Sequence, residues 1–167
     1  MGKRHFFAAI KTIAKNNEMK KKILIVASFG GHWVQMRRLA YAFEELDQHY
    51  VSTNVCLADS VLPASFSVVP DANLDEKLGL AFLALKMLWV VIIIRPDFVI
   101  STGAAPGFFA LVFGKLLGAK TIWIDSCANI DQLSVSGSKV KYFADLWLTQ
   151  WEHLAGEEGP FFRGSVL

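Results

Sequence analysis

The chain has 167 residues, 53% of them hydrophobic, and a mean hydropathy of +0.37. That length suits one domain with its own core, and the hydropathy is high for a soluble domain of this size, so some apolar surface is expected to meet lipid or another protein. Residues 1–22 hold seven Lys or Arg against one Glu, whereas the remainder holds ten against fourteen Asp or Glu; the net charge of +2 is thus a property of the amino-terminal segment, and no nucleic-acid partner is expected.

Residues 1–22 read as a basic amphipathic helix, with Phe6, Phe7, Ile10 and Ile13 at helical spacing among Lys3, Arg4, Lys11 and Lys15. Such a helix lies in the headgroup plane of an anionic membrane, each nearby cation contributing about 1 kcal/mol. A disordered or core-packed extension is the alternative. No uninterrupted apolar run of signal-peptide length follows the basic start, so cleavage is not expected.

From Ile23 to Ala27 the chain is continuously apolar, the pattern of a strand buried on both faces. It runs into Ser28-Phe29-Gly30-Gly31-His32, and helical periodicity follows from His32 to Leu46, with Met36, Leu39, Ala40, Phe43 and Leu46 on one face. A strand feeding a glycine turn that opens a helix is an anion-binding device: Gly30 and Gly31 allow close approach, and the first helical N–H groups have no intrahelical acceptor. Neither a Walker loop nor the G-x-G-x-x-G fingerprint is present, and Gly-Gly-His by itself is equally a tight strand-to-helix turn.

Tyr50–Val55 and Phe66–Val69 read as short strands, separated by turns at 62–64 and 70–73. Leu78 to Ile94 is apolar except for Lys86 and is closed by Arg95-Pro96. Its length and central lysine argue against a spanning helix. Leu80, Leu83, Ala84, Met87 and Val91 form one stripe and Phe82, Leu85, Trp89 and Ile93 a second, for which lipid, a protein subunit or neighbouring helices are the available partners.

Phe98–Ser101 reads as a buried strand, followed by the turn Thr102-Gly103-Ala104-Ala105-Pro106-Gly107 and a helix from Phe108 to Leu117. Lys120–Ile124 is the next strand and ends in Asp125-Ser126-Cys127-Ala128-Asn129. A short helix is expected over 139–145 and a last strand over 146–150. Strands alternating with helices give an α/β, Rossmann-like, doubly wound and mostly parallel sheet over residues 23–155. Such sheets bind ligands beyond the carboxyl ends of their strands, where the three polar turns should converge. Cys56 and Cys127 lack metal spacing and read as reduced cytoplasmic thiols.

The order Gly-Gly-His, then Arg-Pro-Asp-Phe-Val-Ile-Ser-Thr-Gly-Ala-Ala-Pro-Gly, then Asp-Ser-x-Ala-Asn resembles the acceptor-side half of a GT-B glycosyltransferase. It is most similar to the asparagine-linked glycosylation protein 14 family and its bacterial exopolysaccharide counterparts, and more distantly to the N-terminal domain of MurG. The resemblance spans about residues 22–150. It implies a membrane-associated, acceptor-binding subunit of a two-component inverting enzyme. Such an enzyme moves sugar from a UDP-sugar to a polyprenyl-diphosphate-linked saccharide in polysaccharide biosynthesis, at the cytoplasmic face of the inner membrane. A separate donor-binding subunit would be the partner, and no cofactor or metal is expected.

On that resemblance, Ser28, Gly30, Gly31, Thr102, Gly103, Ala104, Ser126 and Asn129 would hold the acceptor and its phosphates. His32 would be the base or a phosphate donor, since imidazole titrates near working pH. Asp125 is the rival base, or a residue capping its own loop. Residues 156–167 would either engage the donor subunit or lie against the chain's own sheet. A non-catalytic membrane scaffold that recruits a soluble transferase is the competing reading. A free-standing nucleotide-binding enzyme is disfavoured by the missing fingerprints.

Overall fold

The computed structural model describes residues 20–72 and 76–166; the amphipathic reading of the amino-terminal segment, with Phe6, Phe7, Ile10 and Ile13, lies outside the described residues. The strands are β1 (Lys22–Val26), β2 (Asp47–Ser52), β3 (Ser65–Val68), β4 (Phe98–Ser101), β5 (Lys120–Ile124), β6 (Leu146–Thr149) and β7 (Phe161–Phe162). All pair in parallel in the order β3-β2-β1-β4-β5-β6-β7. The Rossmann-like, doubly wound expectation is met, and the reversal of strand order falls between β1 and β4.

Alternate side chains of the central strands enter two cores, which is why their sequences run apolar without interruption. Ile23, Ile25, Tyr50, Ile100, Ile122 and Ile124 pack on Trp33, Met36 and Leu39 of α1 (Gly31–Leu39). Leu24, Val26, Val51, Val99 and Trp123 pack on α2 (Lys77–Ile94) and α3 (Ala104–Leu116). A short α4 (Val135–Lys139) precedes β6.

Several boundaries differ from the sequence reading. α1 stops at Leu39 and tightens into a 3-10 turn over Ala40–Phe43, which buries Phe43 and returns the chain to β2 three residues earlier than expected. α3 begins at Ala104, four residues before Phe108. Pro106 is tolerated there because a first-turn N–H has no intrahelical acceptor to lose. The helix expected over 139–145 is α4 followed by a 3-10 turn at Val140–Tyr142, because Ser134 caps earlier by accepting from the Gly137 N–H. Phe161 and Phe162 form β7 on the chain's own sheet, and Val166 is buried in the core.

Of the two stripes on α2, Leu83, Met87 and Val91 are buried, whereas Phe82, Leu85, Trp89 and Ile93 are each at least 60% exposed. Length and composition alone would let this helix cross a membrane, yet one face of it is committed to the sheet.

Candidate functional site

β1 leads through buried Ser28 to Gly30, which has φ 93° and is the N-cap of α1. A backbone with positive φ is cheap only for glycine, and here it aims the chain straight into the helix. β4 leads through Thr102 to Gly103, the N-cap of α3, with φ 139°. Neither helix start has a side-chain cap. Two sets of uncapped N–H groups, each at the positive end of a helix dipole, therefore lie beside each other at the switch point of the sheet.

His32 and Thr102 tie these two turns together. The Thr102 carbonyl is 2.9 Å from His32 Nδ1, and since a carbonyl only accepts, Nδ1 carries the proton and donates it. That tautomer leaves Nε2 with a free lone pair able to take a proton. In return, Thr102 Oγ1 donates to the His32 carbonyl at 2.9 Å. The His32 ring lies against Gly103, where a Cβ would overlap Cε1 and Nδ1. Ala104 follows with φ 66°, an unusual conformation for a side chain with a Cβ, which the sharp entry into α3 imposes.

The third turn is organised differently. Asp125 is 1% exposed, and its carboxylate accepts hydrogen bonds from Trp123 Nε1, Asn129 Nδ2, Ser134 N and Ser134 Oγ. Four donors around one carboxylate fill its acceptor positions and hold the 125–134 loop in shape. Asn129 belongs to that scaffold through its bond to Asp125. Ser126, also buried, accepts from Gln35 Nε2 at 2.9 Å and from the Ala128 N–H at 3.2 Å.

Gln35, Gln150, Ser134 and Trp151 were not singled out by the sequence. Gln35 Oε1 accepts from the Cys127 N–H and from Gln150 Nε2, and Trp151 Nε1 donates to the Cys127 carbonyl. A polar residue on the core-facing side of α1, beside Met36 and Leu39, was the one available clue to Gln35. Among the described residues no three His, Cys, Asp or Glu cluster as metal ligands would.

The sequence matches no family profile and no curated relative. Solved structures do match. MurG of Acinetobacter baumannii superposes with a TM-score of 0.70 at 11% identity, over 87% of this chain and 45% of that one. A putative UDP-N-acetylglucosamine 2-epimerase from Listeria monocytogenes gives 0.60 at 12% identity, over 79% and 39%. S. aureus MnaA, solved with UDP, gives 0.61 at 17% identity, over 78% and 39%. These likenesses establish the fold, that of one half of a GT-B architecture, and the chain spans less than half the length of each of these three structures.

Proposed function

We propose that this chain is the acceptor-binding, membrane-associated half of a two-component inverting glycosyltransferase. It would receive a polyprenyl-diphosphate-linked saccharide while a separate subunit presents the UDP-sugar. The observation that carries the reading is the pair of uncapped helix starts, α1 and α3, joined by the His32–Thr102 hydrogen bonds at the strand-order reversal. Two adjacent clusters of free N–H groups suit a diphosphate better than a single phosphate. Ser28, Gly30, Gly31, Thr102, Gly103 and Ala104 form its cradle.

Within this reading His32 is the base. Nδ1–H is held by the Thr102 carbonyl, and Nε2 takes the acceptor hydroxyl proton as the hydroxyl oxygen attacks the anomeric carbon and UDP leaves. Asp125 is then an anchor of the 125–134 loop, its carboxylate oxygens taken up by Trp123, Asn129 and Ser134. The exposed face of α2, with Phe82, Leu85, Trp89 and Ile93, and the basic segment before β1 would hold the chain at the cytoplasmic face of the inner membrane.

The test is sugar transfer from radiolabelled UDP-sugars to lipid-extractable product, in membranes that contain this chain and its donor subunit. His32→Ala should lower the rate on the order of a hundredfold or more at unchanged protein level. An unchanged rate would remove His32 from the chemistry and favour the scaffold reading.

A further inference from the structure

His32, Gln35 and Arg38 lie three residues apart along α1, and each ties the helix to a different part of the fold. His32 bonds the turn after β4. Gln35 bonds the turn after β5 and Gln150 at the end of β6. Arg38 donates to the Val166 carbonyl at 2.9 Å. The helix is thus pinned along one slanted ridge, and its last pin is the segment that follows β7.

That segment also reaches the crevice through the interior. The Val166 N–H donates to Gln150 Oε1 at 3.0 Å, and Ser165 Oγ donates to the same oxygen at 3.3 Å. Gln150 Nε2 donates to Gln35 Oε1 at 2.8 Å and to the Asp125 carbonyl at 3.0 Å. Gln35 Nε2 in turn donates to Ser126 Oγ. Gln150 is 2% exposed and Gln35 4%, so water cannot readily replace a partner that is lost. Both protons and both acceptor positions of the Gln150 amide are used, and the bonds from Val166 through Gln150 and Gln35 to Ser126 run in one sense, so each polarises the next.

The geometry points to Gln35 and Gln150 as positioning residues, a buried amide relay through which residues 165–166 set the orientation of α1 and of the 125–129 turn at the candidate crevice. Neither touches the proposed ligand; they act on His32 and on the α1 start. The relay makes the segment after β7 a handle: whatever displaces Val166 reorients the anion cradle. The part concerning ligand affinity rests on the diphosphate reading above, whereas the coupling itself does not.

Nuclear magnetic resonance of the isotope-labelled full chain separates the two. Gln150→Met keeps the side-chain length and removes all its hydrogen bonds. The expected result is a shift of the Gly31 amide and His32 ring signals, neither of which contacts Gln150, and a five- to tenfold weaker response to inorganic pyrophosphate. Should that variant fail to fold, removing residues 165–167, which takes away the Val166 N–H and carbonyl and leaves both glutamines in place, is read identically. Signals that change only at Gln35, Ser126 and residues 165–166, with Gly31 and His32 unmoved, would overturn the relay. A wild-type chain that ignores pyrophosphate while the shifts occur would sink the diphosphate reading and leave the relay standing.

Discussion

At the scale of single residues, Gly103 and Ala104 make neighbouring positions with opposite expectations. A methyl group at Gly103 would enter the His32 ring, and a φ of 139° is strained for any residue with a Cβ. Gly103→Ala should therefore break the His32–Thr102 bond and cost about 1–3 kcal/mol, as overpacking and backbone strain usually do. Ala104 already sits at φ 66°. Replacing it by glycine relieves about 1–2 kcal/mol of left-handed strain but adds about 0.4–1 kcal/mol of freedom to the unfolded chain, so a small net gain is expected. Denaturant midpoints of the two variants should move in opposite directions. The glycines and His32 were legible because a strand, a turn and a helix start announce themselves locally. For Asp125 the sequence left a base and a cap of its own loop as alternatives; its donors Trp123, Asn129 and Ser134 lie on strand, loop and helix cap, and only the folded chain shows that they converge, which favours the cap.

At the scale of elements, His49 on β2 and Asp145 just before β6 carry two titrations with separate windows. Burial lowers the His49 pKa below 6.5, and the attraction of Asp47 offsets this only in part. The unfolded chain then binds more protons than the native one near that pH, so stability rises with pH there and is lost on acidification below about 6.5. Asp145 is pushed up by burial, but its bonds from Lys115 and Thr121 outweigh this and hold its carboxyl below 3.8. Its contribution is present above that value and disappears as pH falls through the lowered one. Unfolding midpoints between pH 7.5 and 5.5 should decline less in His49→Gln than in the wild type, while Asp145→Asn should alter only the acid limb. Elements themselves were legible where periodicity is long, as in α2, whose buried and exposed stripes follow the sequence spacing. They were illegible where a tertiary contact decides. The helix after Gly31 carries an amphipathic pattern through Leu46, yet the need to bury Phe43 and reach β2 ends it at Leu39. β7 is two residues long and exists only because β6 offers its edge.

At the scale of the molecule, two surfaces among the described residues are open to a partner. The first is the outer face of α2, where the large apolar side chains Phe82, Leu85, Trp89 and Ile93, among others, stand in solvent. Burying each fully would contribute about 1.5–3 kcal/mol, enough together to hold a protein at a bilayer surface. Flotation with anionic liposomes should fall when Phe82 and Trp89 are both changed to Ser, and separately when residues 1–17 are removed. A chain that floats unchanged after both alterations is not a membrane protein of the kind proposed. The second is the open crevice at the carboxyl ends of β1, β4 and β5. The three structures compared above are each more than twice as long as the region that aligns with this chain. On the reading proposed above, its uncapped helix starts would hold the acceptor's phosphates and a separate subunit would hold the nucleotide sugar across from them. The purified chain should accordingly release no UDP from any UDP-sugar in the presence of lipid-linked acceptor. Adding a second polypeptide that supplies the donor half should restore release, and His32→Ala should abolish the restored activity while leaving the two chains associated.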